Sequence, residues 1–189
     1  MIRRALLLVG AIVPVTGVMA LMAWALGQTG GNPGGLGVYN VFGEVEVEAA
    51  PAPLLSLRLL TGETLTLADL EGKVVMVDFW SSWCPPCIEE AQVLAATYPL
   101  YADRSVVFVG VAIWDVESEV NRHIARFGVT YPNGIDAQGK VAINYGVRGV
   151  PEKFFIDRNG LLVKKFVGPA TAEQLRAIID EMLSQEGDS

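Results

Sequence analysis

Val74-Val75-Met76-Val77-Asp78-Phe79-Trp80-Ser81-Ser82-Trp83-Cys84-Pro85-Pro86-Cys87-Ile88-Glu89-Glu90 is the stretch on which the reading of this chain turns. Its first half, from Lys73 to Trp80, is a compact apolar run and reads as a central, buried strand. Its second half reads as the start of a helix near Cys84, since prolines are tolerated in a first helical turn. Ile88, Ala91, Leu94, Ala95, Tyr98 and Tyr101 then recur at three and four residues, which gives that helix one apolar face. Cys84 falls at the strand-to-helix junction. There, unpaired backbone amides and the helix dipole favour a thiolate. Cys87 lies one turn on, within reach of whatever Cys84 bonds to. Cys84 is therefore the candidate nucleophile and Cys87 the resolving thiol. Pro85 and Pro86 between them stiffen the turn and remove two backbone donors.

The chain has 189 residues and only these two cysteines. A loop this short removes little entropy from the unfolded chain, so the pair is a poor staple and is better explained by chemistry. A closed zinc site needs about four ligands, and the sequence offers two cysteines and the lone His123. Covalent haem attachment needs histidine after the second cysteine, where Ile88 stands. No metal or cofactor is expected. With 21 acidic against 14 basic residues the net charge is −7 and the basic residues are scattered, which argues against nucleic acid as a partner.

Residues 1–4 carry Arg3 and Arg4, and residues 5–26 then run without a charge. Twenty-two helical residues rise about 33 Å, enough to cross a hydrocarbon core, and the run is longer than a cleavable signal's apolar region. The expectation is a transmembrane signal-anchor, with the arginines cytoplasmic and everything downstream outside. A cysteine pair placed there needs a dedicated electron supply, which makes an integral-membrane donor an expected partner. Residues 27–53 begin Gly-Gln-Thr-Gly-Gly-Asn-Pro-Gly-Gly and read as a flexible linker. As coil it would span about 30 Å. Within it, Glu44 to Glu48 alternate as an exposed strand does.

Residues 54–185 read as one folded domain, and 186–189 as a short tail. Leu54–Leu60 and Thr64–Leu67 read as two short strands, and Ser105–Trp114 as a second buried strand. Glu117–Phe127 reads as a helix stopped by Gly128, and Ala137–Tyr145 as a short one. Glu152–Ile156 and Leu161–Val167 flank the hairpin signal Asp157-Arg158-Asn159-Gly160. A last helix opens on the capping box Thr171-x-x-Gln174 and buries Leu175, Ile178, Ile179 and Met182. This order implies an α/β sandwich around a mixed sheet. His123 is expected at the solvent edge of its helix, Trp80 in the core and Trp83 in the wall of the site.

The run Val77 to Cys87 closely resembles the active-site strand and turn of thioredoxins. Leu67-Ala68-Asp69-Leu70-Glu71-Gly72-Lys73 and Gly146-Val147-Arg148-Gly149-Val150-Pro151-Glu152 resemble the extracytoplasmic TlpA/ResA/CcmG (DsbE) branch of that superfamily. The resemblance implies a thioredoxin-like fold with an N-terminal strand extension and a central helix insert at about 115–145. It makes Pro151 a cis-proline facing the cysteines, exposing the Val150 backbone for pairing with an extended substrate chain. Trp83, Pro85, Pro86, Val150, Pro151 and Glu152 would then form the substrate-binding surface. Glu90 matches an acidic position of the branch and would exchange protons with the thiols. Asp78 matches the buried aspartate of ordinary thioredoxins, whereas the cytochrome c maturation branch often carries a neutral residue there. Strand alternation also allows Asp78 a surface position, and a central strand favours burial.

The implied activity is protein disulfide reduction, with an apocytochrome c cysteine pair or its chaperone as client. A broader TlpA-like reductase is the near alternative. A thiol peroxidase is disfavoured because Val77 stands where that pattern expects proline, and a non-enzymatic scaffold leaves the cysteine pair unexplained.

Overall fold

The computed structural model describes residues 15–24 and 42–184. Strand β4, Val74–Trp80, is buried along its whole length because it lies between β5, Val106–Ala112, in parallel and β7, Glu152–Ile156, in antiparallel pairing. With a neighbour on each edge and helices or loops on each face, it has no solvent side, which is why its sequence shows no alternation. β8, Leu161–Val167, pairs with β7 through the expected hairpin, where Asp157 Oδ1 accepts the N–H groups of Asn159 and Leu161. β6, Asn133–Ile135, closes the other edge beside β5.

The sixth strand corrects the expected linker. β1, Gly43–Pro51, pairs antiparallel with β8, from Gly43 opposite Val167 to Pro51 opposite Leu161. The alternation of Glu44 to Glu48 is therefore that of an edge strand within the sheet, and the folded domain begins before residue 54. The complete order is β1-β8-β7-β4-β5-β6. A separate two-stranded sheet is made by β2, Ser56–Arg58, and β3, Thr64–Thr66.

Alternate residues of β4 enter two cores. Val75, Val77 and Phe79 pack with Leu55, Leu57 and Tyr145, on the side of the β2–β3 hairpin and of helix α3, Lys140–Asn144. Val74 and Met76 pack with Leu94 of α1, Pro85–Thr97, and with Leu175, Ile178, Ile179 and Met182 of α4, Ala172–Ser184. Each fully buried side chain of this size contributes roughly 2–3 kcal/mol by leaving water. The capping box of α4 forms as the sequence implies: Gln174 N–H donates to Thr171 Oγ1 and Thr171 N–H to Gln174 Oε1. Helix α2, Glu117–Phe127, ends at Gly128, whose φ of +65° suits a left-handed cap.

Asp78 lies on the same face of β4 as Val74 and Met76, toward α1. His123 is the second correction. It is buried, stacked 4.5 Å from Trp80 and 4.7 Å from Phe127. Its place three residues after Val120 and four before Phe127 puts it on the helix's apolar face, not at its solvent edge.

Residues 15–24 are helical. The rest of the run 5–26, the glycine-rich part of the expected linker and the tail 186–189 lie outside the described residues. Among the described residues no helix is long and apolar enough to cross a membrane.

Candidate active site

Cys84 and Cys87 are joined in a disulfide at the N-terminus of α1. Cys84 is the N-cap with extended backbone, and Pro85 and Pro86 occupy the first two helical positions. Neither proline carries an N–H, so the first amide donor of the helix is Cys87, and it donates to Cys84 Sγ at 3.3 Å. The double proline thus leaves one backbone donor aimed at the nucleophilic sulfur. That donor and the helix dipole both favour negative charge on Cys84.

The turn before the cysteines is tied down from the other side. Ser81 Oγ donates to Ile113 O, and Cys84 N–H to Ser81 O. The Asp115 carboxylate accepts from Ser82 N–H, Ser82 Oγ and Val116 N–H. Trp83, more than half exposed, donates through Nε1 to the carbonyl of Trp114. Trp114 is itself exposed and holds φ at +52°, a strained value for a bulky residue. That hydrogen bond ties two exposed tryptophans together beside the cysteine turn. Trp80 Nε1 donates inward to Asn133 Oδ1, which lies so close over Gly110 that a Cβ there would meet it at 1.9 Å.

The Val150–Pro151 peptide is cis. The Val150 carbonyl oxygen lies 3.7 Å from Cys84 Sγ, and Val150 is partly exposed, so its backbone is available to an extended chain. Pro85 is exposed and Pro86 half-buried on the same rim. Glu152 is different. It is fully buried, its Oε1 accepts the N–H groups of Arg148 and Gly149, and its Oε2 is 2.7 Å from Lys165 Nζ. Its side chain holds the proline loop from within and cannot touch a client, which corrects its expected place on the substrate surface.

Beneath Cys87 the structure gathers ionisable groups from three elements. Asp78 of β4, Glu90 of α1 and Lys153 of β7 are all buried. Lys153 Nζ lies 2.5 Å from Glu90 Oε1, 3.5 Å from Asp78 Oδ1 and 3.3 Å from Gly168 O, while Glu90 Oε2 accepts the Ala170 N–H. Asp78, Glu90 and Cys87 line one cavity of about 10 Å³, with Tyr131 and His123 among its walls. That volume is about the least that admits a water. Burial pushes the Glu90 carboxyl up to about 7, with the Asp78 charge adding to the rise and Lys153 opposing it. Burial also raises Asp78, against the pull of Lys153. Two acids against one cation make a store for a proton near neutrality.

The structure therefore brings Cys84, Cys87, Glu90, Asp78, Val150 and Pro151 to one place, with Trp83, Pro85 and Pro86 on its outer rim. Sequence reasoning missed Lys153, Asp115 and Trp114. For Lys153 a signal was available, because it stands in a strand directly before the apolar run Phe154-Phe155-Ile156, and a lysine buried with such a run has to find a carboxylate.

In this geometry a Cys84 thiolate, at the helix N-cap beside the Val150 carbonyl, can attack an incoming disulfide, and Cys87, which lines the inner cavity, can resolve the product. The Redoxin family model matches residues 48–183. The thiol-disulfide oxidoreductase ResA of Geobacillus thermodenitrificans is 33% identical over 170 residues, covering 88% of this chain and 93% of that one. The crystal structure of a thioredoxin-family thiol:disulfide interchange protein from Chlorobium tepidum matches with a TM-score of 0.66 at 27% identity, over 74% of this chain and 99% of the other. A secreted Mycobacterium tuberculosis disulfide oxidoreductase, described as homologous to E. coli DsbE, matches at 0.57 and 25% identity, over 69% and 95%. The fold, the helix-capping cysteine pair and these likenesses agree: the chain belongs to the Redoxin family and is a thiol–disulfide oxidoreductase of the ResA and DsbE type.

Proposed function

We infer that this oxidoreductase acts as a reductase, tethered by residues 5–26 at the outer face of a cytoplasmic membrane. Its client is the haem-binding cysteine pair of an apocytochrome c, or a chaperone carrying that pair. The Cys84 thiolate attacks a client sulfur, forming a mixed disulfide and releasing the client's other sulfur as a thiolate. Cys87 then attacks Cys84 Sγ, closing the Cys84–Cys87 disulfide and freeing the second client thiol. Two electrons pass to the client, and a membrane dithiol carrier returns them to the pair.

The observation that carries this reading is the partly exposed Val150 beside Cys84, the helix-capping sulfur, with Cys87 facing the inner cavity. Such a site takes a disulfide in an extended, locally unfolded chain, as a haem-attachment segment is before haem is bound. The uncharged run after Arg3 and Arg4, and the secreted relative, support the location. Asp78, the residue that ordinary thioredoxins share, favours a second reading, a reductase of broader client range.

Cys87→Ser in cells tests both. The variant stalls mixed disulfides on Cys84, and an apocytochrome c or its chaperone should dominate the captured proteins. A broad set of unrelated clients favours the second reading. Capture of cytoplasmic proteins alone overturns the location and the client together.

A further inference from the structure

Trp114 is exposed, yet its φ of +52° is a conformation that a bulky residue keeps only where its surroundings hold it. The exchange steps do not use its ring. That ring walls a cleft of about 520 Å³, together with Asp115, Val116, Asp136, Ile143 and Val147. The volume leaves room for one long side chain and the backbone that carries it. We propose that this cleft is a specificity pocket for the client chain, taking a lysine or arginine that lies within about four residues of the attacked cysteine. The proposal rests on exchange at Cys84 with an extended client, and not on which protein supplies that client.

Two walls of the cleft run into the exchange site. On one side, Trp83 Nε1 donates to Trp114 O and the Asp115 carboxylate accepts the Ser82 N–H, so the turn that carries Cys84 is bonded to the cleft wall. On the other, Val147 opens the loop that reaches Val150, whose carbonyl oxygen lies 3.7 Å from Cys84 Sγ. An extended chain rises about 3.3 Å per residue, so a client strand laid along Val150 passes the length of that loop within about three or four residues.

The chemistry of the cleft selects the side chain. Among the described residues, the charged groups of its lining are Asp115 and Asp136. Both are held by neutral donors: Asp115 by Ser82 N–H, Ser82 Oγ and Val116 N–H, and Asp136 Oδ2 by the Ala142 N–H. Such donors orient a carboxylate without cancelling its charge. The adjoining hollow, of about 440 Å³, shares Asp115 and Val116 and adds Glu117 and Arg58. Across the two, three acids face one base among the described residues. Lys140 and Arg148 are exposed on the flanking segments and stand off both linings. The rest of the cleft wall is largely apolar. A long aliphatic stem with a cationic head suits both features, since the stem packs on Val116, Ile143 and Val147 while the head meets the carboxylates and the face of Trp114. A client carboxylate would meet like charge there.

The test mixes the reduced full-length chain with peptides that each carry one Cys-x-x-Cys disulfide. Lysine, norleucine or glutamate is placed in turn at each position within about four residues of the cysteines, and peptide reduction is timed by mass analysis. At one position or more, the lysine peptide should be reduced about tenfold faster than the glutamate peptide, with norleucine between them, and added salt should shrink the advantage. Asp136→Asn, which keeps an acceptor for the Ala142 N–H, should cut the lysine-to-glutamate ratio by about threefold or more. Ile143→Lys puts a cation on an exposed part of the rim and should bring the ratio to about one or below, which decides the matter if Asp136→Asn does not fold. Equal rates for all three residues at every position, or a lysine preference unchanged in folded Asp136→Asn or in Ile143→Lys, overturn the proposal and leave exchange at Cys84 standing. Norleucine peptides reduced fastest throughout make the cleft an apolar pocket and overturn it too. A set in which no peptide is reduced overturns the extended-client reading along with it.

Discussion

Two glutamates of this domain are buried against lysines of the same β7–β8 hairpin, and they are built for different ends. Glu152 has its own cation, Lys165 at 2.7 Å, and two loop N–H groups on its other oxygen. Glu90 shares Lys153 with Asp78 and receives one further N–H, from Ala170. In the first arrangement acid and cation are matched one to one, and the pair serves as a clamp on the proline loop. In the second there is an acid too many, and the surplus is a proton site beside a thiol. Burial alone does not make a carboxylate functional; the count of charges around it decides.

The largest effect of breaking either arrangement is expected at the clamp. Glu152→Ala leaves a buried Lys165 contact and two loop amides without their acceptor, and should cost about 2–4 kcal/mol of stability in urea unfolding. If the loss is under about 0.5 kcal/mol, Glu152 is not a clamp.

Glu90→Gln should act differently, on the slope of stability against pH. Burial lifts the Glu90 carboxyl from 4.5 to about 7, so the folded state binds this proton more tightly than the unfolded chain does. Its contribution is full below pH 4.5 and is lost as pH rises through 7. Glu90→Gln should therefore flatten the fall in unfolding free energy, measured by urea titration, across that window by roughly 1–3 kcal/mol in total. The slope due to Asp78 should persist. Glu89→Gln is the smallest effect. Glu89 is exposed on a different side of the helix, and its loss should change stability by less than about 0.5 kcal/mol and leave the pH slope alone.

That contrast between adjacent glutamates shows what a sequence can and cannot disclose. The spacing from Cys87 puts Glu90 on the thiol face, and the helix agrees, because a local period of 3.6 fixes which side chains share a face. The hairpin at Asp157–Gly160, the cap at Thr171–Gln174 and the stop at Gly128 are readable for the same reason: each is decided within a few residues. The differences lie where distant partners decide. β1 reads as linker because its pairing partner, β8, lies over a hundred residues away, as Glu44 opposite Phe166 shows. Glu152 reads as a surface residue because only the fold brings Lys165 under it. The surplus charge that makes the proton site needs Lys153, whose two acids come from elements 63 and 75 residues earlier in the chain. His123 is the exception, since the spacing from Val120 and Phe127 already places it on the buried face of its helix.

Around both glutamates the chemistry rests on one asymmetry between two buried sulfurs: Cys84 caps the helix and receives the Cys87 N–H, so it attacks, while Cys87 lines the acidic cavity and resolves. The most direct measurement reacts Cys87→Ser and Cys84→Ser with the same disulfide-bonded peptide and weighs the products. A stable peptide adduct should form on Cys84 in Cys87→Ser, and none in Cys84→Ser at neutral pH. An adduct forming as fast on Cys87 as on Cys84 would contradict that asymmetry.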